Sequence, residues 1–521
     1  MPTAIGELRN YMSGQLPDYM VPSAFVLLDK FPLTINGKVD KKALPAPDMF
    51  AVERAKYIEP ETQIEKILAD TWEEVLGIQE IGIDDNFFLI GGDSIRSIKI
   101  CSLAKERGLN ISLEQIFKYQ TIRDLSKVVD MQNSIEDKDV TVPPFSLISE
   151  EDRRIIPNGI EDAYPIPAIQ MTIYYHSEVN EVYRSYLETY RLRADFNEEI
   201  FNEAINRLVK RHEIFRTSFD ISSYSKPLQL VHENTELKLN VQDLRHMNGE
   251  EQEKYLKDFV SKEEHTKFDW SKPGLFRFHV HLLSDEIFQF TMCEPILDGW
   301  SVASTVTELL TNYRDLTETP NTLESKKLNA KFNRYVQLEQ QTKESKEANE
   351  FWESKLQDVS TMQVPRWLKT SASRVTENNR LMLPISQQVS EGLIRLSRKV
   401  SVPLKDVVLA AHLKVVSLLT GQTDVVTGVV AGGRPEEPDA EKVLGSMINT
   451  MPFRLDIGNC SWEELVCKTF DAEREAHPYR RYPLVDLQRK YSGGKRMFET
   501  IFNYTHFHAY QDIGKKLVLK Y

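Results

Sequence analysis

Two polar, proline-bearing breaks divide this chain, and they constrain its fold more than any other feature. Residues 45–60 (PAPDMFAVERAKYIEP) show no clear periodicity and hold several prolines, as a linker does. Residues 131–147 (MQNSIEDKDVTVPPFSL) are polar and acidic and close on Pro143-Pro144. A short head, a compact middle of small-domain size and a long C-terminal region result. A chain of 521 residues needs such a division, because one hydrophobic core stops growing well short of that length.

Charge and composition narrow the partners. The formal net charge of -13 argues against nucleic acid or an anionic membrane, both of which call for a basic surface. No apolar run approaches the roughly 20 residues of a membrane span, and MPTAIGELRN lacks a signal-peptide pattern. Cys101, Cys293, Cys460 and Cys467 are scattered with no CxxC pair, which points to a reducing, cytoplasmic setting without structural zinc or disulfides. No metal-ligand set is expected from these spacings.

The middle reads as a four-helix bundle, three helices long and one short. Thr62-x-x-Glu65 is a capping box, Ile64, Ile67, Leu68, Val75 and Leu76 share one helical face, and Gly77 follows as a stop. A long loop leads to a helix from about Ser94 to Arg107, with Ile95, Ile98 and Leu103 inward and Gly108 as its end. Ser112-x-x-Gln115 opens a short third helix. Thr121-x-x-Asp124 opens a fourth, with Leu125, Val128 and Val129 on its face. In the C-terminal region Phe276, Phe278, Val280 and Leu282 alternate as a half-buried strand, and Phe288, Phe290 and Met292 repeat the pattern after Ser284-Asp285. Val302, Val306, Leu309, Leu310 and Tyr313 follow helical spacing, residues 403–419 form another helix, and Val425 to Val430 a buried strand, so this region is α+β.

The stretch DNFFLIGGDSI (85–95) carries the most chemistry. Its paired glycines let the backbone turn tightly and leave the next side chain uncovered. Ser94 then stands at a helix start, where unpaired N–H groups favour an attached phosphate, with Asp93 beside it. Phe87 and Phe88 are expected to anchor the loop. A plain capped turn explains Gly-Gly-Asp-Ser alone, but not the Asp-x-Phe-Phe prefix within a small helical bundle.

With these residues in view, residues 57–132 resemble a peptidyl-carrier domain, and DNFFLIGGDSI resembles the family's phosphopantetheine attachment signature, with Ile90 replacing the commoner Leu. The resemblance implies that a phosphopantetheinyl transferase joins 4'-phosphopantetheine to Ser94, and that the arm's thiol holds an aminoacyl or peptidyl thioester. Residues 1–48 resemble the tail of an adenylation domain through Leu16-Pro17-Asp18-Tyr19-Met20-Val21-Pro22 and Asn36-Gly37-Lys38-Val39-Asp40. The resemblance implies that Lys38 would contact an acyl-adenylate, whereas an exposed lysine in an Asn-Gly turn is the plainer reading. The ATP-binding core is missing from this sequence, so no adenylation by the chain alone is expected, and an upstream adenylation core becomes an implied partner.

Residues 159–521 resemble a condensation domain, after a linker at 133–158. The matches run in order: Ala163-Tyr164-Pro165-Ile166-Pro167-Ala168-Ile169-Gln170, Arg211-His212-Glu213-Ile214-Phe215-Arg216-Thr217, Gly433-Arg434-Pro435, Gly445-Ser446-Met447-Ile448-Asn449-Thr450, and Phe502-Asn503-Tyr504-Thr505-His506-Phe507. The implied fold is a pair of chloramphenicol-acetyltransferase-like lobes, and the implied reaction is attack of an acceptor amine, held on a downstream carrier, upon a donor thioester. The stretch ends before the family's final segment, so the chain reads as truncated at both ends. The complete fold expectation is therefore multidomain: adenylation tail, four-helix carrier, and α+β two-lobed condensation domain.

The family's signature is His-His-x-x-x-Asp-Gly, and here the chain reads Cys293-Glu294-Pro295-Ile296-Leu297-Asp298-Gly299-Trp300-Ser301. Both histidines are replaced. The resemblance puts Glu294 where an imidazole lies beside the amine, a role suited to a group titrating near neutrality. A carboxylate titrates lower unless burial raises it. Glu294, Asp298 and Gly299 are the candidate catalytic residues, with Asp298 expected to pair with Arg434 or Arg216. Cys293 invites a nucleophile reading, but no histidine partner is evident, and His279 and His281 read as solvated or packing residues. Three functions follow: an amide-forming enzyme with impaired or lost chemistry, a non-catalytic platform that binds carriers or recruits a tailoring enzyme, or an epimerisation domain, against which Asp-Gly-Trp-Ser and Gly-Ser-Met-Ile-Asn-Thr argue.

Overall fold

The computed structural model describes residues 57–129, 142–179, 186–319, 328–359, 362–366 and 380–505. The adenylation-like head with Lys38, and His506-Phe507 of the last motif, lie outside the described residues.

The carrier segment holds α1 (Gln63–Leu76), α2 (Ser94–Glu106), α3 (Leu113–Lys118) and α4 (Ile122–Leu125). Thr62 and Glu65 make the reciprocal capping box, and Gly77 ends α1 in the left-handed region at φ +67. The loop between α1 and α2 is pinned along its length. Phe87 is fully buried with its ring centroid 5.1 Å from that of Trp72. Phe87 N–H donates to Gln120 O at 2.8 Å, and Asp84 pairs with Arg123.

Two expectations shift here. The fourth helix is a single turn rather than a long element. The Ser126 hydroxyl donates to Arg123 O, and Val128 N–H donates to Leu125 O in a tighter i→i+3 pattern, which closes the turn. On α2 the buried apolar side chains are Ile98, Ile100, Cys101 and Ala104, whereas Ile95 and Leu103 are half-buried.

The C-terminal region opens earlier than the linker reading placed it. Helix α5 (Glu150–Ile155) precedes β1 (Ile160–Pro165). The buried Asp162 carboxylate accepts Phe145 N–H at 2.7 Å, and Asn333 Nδ2 donates both to Val142 O and to Asp162 Oδ2. Residues 142–158 are thus tied into the region that follows them.

After β1 come α6 (Ala168–Val179), β2 (Tyr186–Arg193), α7 (Glu198–Arg211), β3 (Thr217–Asp220), β4 (Leu228–His232), β5 (Leu239–Asp243), α8 (Gly249–Glu264), β6 (Arg277–Leu282), β7 (Ile287–Glu294) and α9 (Gly299–Glu318). The second half holds α10 (Phe332–Glu344), α11 (Lys346–Leu356), α12 (Gln387–Val400), α13 (Leu404–Thr420), β8 (Asp424–Gly432), β9 (Ile448–Asp456), α14 (Trp462–Ala476), α15 (Leu484–Ser492) and β10 (Ile501–Phe502). Among the described residues there are three sheets, ordered β1-β4-β3, β2-β7-β6-β5 and β10-β8-β9, with β5 parallel to β6 and β10 parallel to β8.

The expected alternation is realised. Phe278, Val280, Phe288, Phe290 and Met292 point into one core, shared with Phe201, Leu208, Val306 and Leu309 from α7 and α9. A second core joins Leu409 and Leu413 of α13 to Val425, Val429 and Phe453 of the β8–β9 pair and to Leu465 of α14. No helix among the described residues is long and apolar enough to cross a membrane.

Candidate functional site

In the carrier, α2 begins on Ser94, so that residue belongs to the helix's first turn instead of preceding it, and half-buried Asp93 stands just before it. Gly91 has φ +105, a conformation that favours glycine. A Cβ at Gly92 would lie 2.4 Å from the Phe87 ring, so only glycine lets the loop pass this close. Phe87 is the anchor the sequence suggested, while Phe88 is half-buried.

In the C-terminal region the site is built where β7 turns into α9. Asp298 caps α9, its Oδ1 accepting Ser301 N–H at 2.8 Å. Arg434, just after β8, grips both Asp298 oxygens at 2.8 and 2.9 Å and also donates to Ser301 Oγ. Met447 N–H donates to Asp298 Oδ2, Ser301 Oγ donates to Gly445 O, and Trp300 Nε1 donates to Glu441 O. The Asp-Gly-Trp-Ser motif therefore ties the start of α9 to the segment holding Gly-Ser-Met-Ile-Asn-Thr. Gly445 is required there, since at φ +146 a Cβ would sit 2.4 Å from the Phe332 ring. The roles of Ser301 and Gly445 escaped the sequence reading, although both stand inside motifs it had singled out.

Of the two arginines expected beside Asp298, Arg434 is the partner. Arg216 bonds Glu161 at 2.9 Å and Val209 O at 3.0 Å instead, holding the end of α7 to β1. Burial pushes the Asp298 carboxyl up, but the charge and hydrogen bonds of Arg434 outweigh it and hold the group below its ordinary range.

Glu294, on the last position of β7, is 2% exposed. Its Oε2 accepts Leu297 N–H at 2.6 Å, inside the turn that leads to Asp298. Burial drives its carboxyl up, the N–H groups of Leu297 and Ile296 oppose this, the charges of Glu188 and Asp298 add to it, and the group settles at about 8. Gly299 is exposed at the first position of α9.

Cys293 points to the opposite face of β7, as adjacent strand residues must. The structure supplies the histidine that the sequence did not reveal. The donor atoms of Cys293, His279 and Glu263 all lie within 4.8 Å of one another. Burial, with the Glu263 charge, pushes the Cys293 thiol far above its ordinary range, which removes the nucleophile. His281 is buried, its ring 4.5 Å from that of Phe259 on α8, so both histidines pack and neither is freely solvated.

Residues 160–516 match the family described as Condensation domain, and residues 66–129 match the family described as Phosphopantetheine attachment site. This chain belongs to the condensation-domain family of the nonribosomal peptide synthetases. It is 32% identical over 513 residues to AMB antimetabolite synthetase AmbE of Pseudomonas aeruginosa, covering 96% of this chain and 24% of that protein. It is 28% identical to Gramicidin S synthase 2 of Brevibacillus brevis, covering 93% of this chain and 10% of that protein. The chain thus spans a quarter or less of these curated relatives. The first condensation domain of the CDA synthetase superposes with a TM-score of 0.56 at 17% identity, over 69% of this chain and 86% of that one, a likeness of fold. The carrier match gives this chain 4'-phosphopantetheine as its covalent cofactor, and the glycine loop packed on Phe87 fits it.

Proposed function

We propose that this chain is one station of nonribosomal peptide synthesis. Ser94 is its attachment residue, and its condensation region is a platform that receives carrier-borne acyl groups without joining them. The arm, attached by a phosphopantetheinyl transferase, supplies a thiol that holds the cargo as a thioester. Among the chain's own residues, the Gly91-Gly92 loop before Ser94 packs against Phe87.

The observation that carries the platform reading is the contrast inside one motif. The scaffold half is complete, with Asp298 gripped by Arg434 and tied to Met447. The chemical half is not. Glu294 replaces an imidazole, and its carboxyl is engaged by Leu297 N–H in a turn it helps to hold. With a pKa of about 8 it is mostly protonated at neutral pH, so it is poorly placed to take a proton from an ammonium.

One observation favours the amide-forming reading instead. Burial brings Glu294 near neutrality, where an acid–base group operates best.

The test loads Ser94 with an aminoacyl arm, supplies an acceptor carrier and follows dipeptidyl thioester by mass spectrometry. The platform reading expects binding without product, and product once Cys293→His and Glu294→His are combined. Wild-type product that disappears in Glu294→Ala would overturn it in favour of the enzyme. An inverted α-carbon on the loaded residue would revive the epimerase. Intact mass checks the attachment site: the arm's mass increase should be absent from Ser94→Ala.

A further inference from the structure

The face of the β6–β7 pair opposite Glu294 carries a second cluster. Glu263 comes from the last turn of α8, His279 from β6 and Cys293 from β7, and their donor atoms all lie within 4.8 Å of one another. The placement follows from register. Arg277 is the direct antiparallel partner of Cys293, so His279, two residues along, shares its face, and α8 covers both. His279 Nε2 stands 3.5 Å from Glu263 Oε1, too far for a good hydrogen bond, and is buried without another partner. Cys293 is fully buried.

From this geometry we infer that Glu263, His279 and Cys293 form a binding site for a borderline-soft divalent cation of the zinc class. One thiolate, one imidazole and one carboxylate are the donor types zinc takes, and three protein ligands leave a fourth position for water. Bonds of about 2.0–2.3 Å place tetrahedral donors roughly 3.3–3.8 Å apart. The cluster therefore needs a contraction of about 1 Å, within the reach of side-chain rotation. Binding forms the metal–sulfur bond, breaks the Cys293 S–H bond and releases that proton to solvent. Arg277 is the competitor, because its Nε rests on Glu263 Oε1. It also donates to Thr266 O and lies over the Phe268 ring, contacts it keeps if the carboxylate turns toward the cation. The bound ion would clamp the end of α8 to the strand that carries Glu294.

The experiment uses the whole chain, stripped with chelator and titrated with Zn2+ alone and with Co2+ as its coloured substitute. Wild type should take up one equivalent of Co2+ and show tetrahedral visible bands with a thiolate-to-cobalt band in the near ultraviolet. Cys293→Ser should lose the near-ultraviolet band. His279→Gln, at a partly exposed position, should keep the metal-free melting temperature and lose more than about tenfold in affinity, a scale that even outer-shell changes produce. No uptake at one equivalent overturns the site. So does a charge-transfer band that survives Cys293→Ser, or an affinity unchanged by His279→Gln, the outcome that remains decisive where the serine variant fails to fold.

Discussion

Glu294 and Asp298 are two carboxyls on either side of one short turn, both almost wholly buried, and they end in opposite charge states. For each, burial is the largest influence and pushes the carboxyl toward the neutral form. Asp298 escapes because a guanidinium meets both its oxygens, with the N–H groups of Ser301 and Met447 beside it. Glu294 receives backbone N–H bonds but no cation, and it settles at about 8. In this turn burial does not decide ionisation; the partner does. The intact half of the motif is the half with a buried counter-ion, and that half builds the scaffold. The other half holds Glu294, whose buried carboxyl has no cation beside it and is raised to about 8.

Removing the partner should erase the difference at the greatest expense to the fold. Arg434→Ala leaves the Asp298 charge buried and alone, which costs about 3–5 kcal/mol. The urea midpoint at pH 7 should fall accordingly, and an unchanged midpoint would mean that the pair carries no structural load. The paired Asp298 has a lowered pKa, so its contribution is present above the unfolded value of about 3.9 and is lost as pH falls through the folded value. Arg434→Ala should weaken that acid limb.

The opposite sign is expected at Glu294. Its raised pKa means stability is greatest below the unfolded value of about 4.3 and is lost as pH climbs to about 8. The slope over that window is at most about 1.4 kcal/mol per pH unit. Glu294→Gln keeps an acceptor for Leu297 N–H and removes the titration. It should flatten the curve and be more stable than wild type at pH 8 by up to about 4–5 kcal/mol, that slope taken over the window. Parallel curves for the two proteins would show that Glu294 is ionised throughout, and with that the platform reading loses its support.

The parts legible in the sequence were the local ones. Thr62, Glu65, Gly77 and the alternation along β6 and β7 act within a few residues, so pattern and structure agree. The Asp298 partner was not legible, because choosing Arg434 over Arg216 depends on which strand ends meet. Asn333 reaching back to Val142 and Asp162 is of the same kind, and it turned the end of a supposed linker into part of the fold. The Glu263–His279–Cys293 cluster was hidden for a further reason. Its donors lie on a helix and two strands, so no ligand spacing exists to be read, and the absence of a CxxC pair pointed away from metal. The short fourth helix differed for a local reason, the Ser126 hydroxyl competing for a carbonyl, which periodicity does not register.

A third carboxyl, half-buried, grades the comparison, and its effect should be the smallest. Glu339 on α10 accepts Ala168 N–H from the start of α6 at 3.1 Å and the Tyr335 hydroxyl at 3.4 Å. Burial again raises it most, the Ala168 and Tyr335 bonds oppose this, and Asp486 and Lys343 act with opposite signs, leaving it at about 7. Lys343, whose charge acts on Glu339, is itself paired with Asp486 at 2.8 Å. Glu339 is thus intermediate between an unpaired Glu294 and a fully paired Asp298. Its stability should fall between about pH 4.3 and 7 and level off above that. Glu339→Gln should stabilise the chain at pH 8 by less than Glu294→Gln does, the gap reflecting one pKa unit, about 1.4 kcal/mol at most. Urea midpoints of the two variants across this pH range measure the order directly. A gain at Glu339 equal to or above that at Glu294 would mean that neither the deeper burial of Glu294 nor its lack of a cation sets the order of these carboxyls.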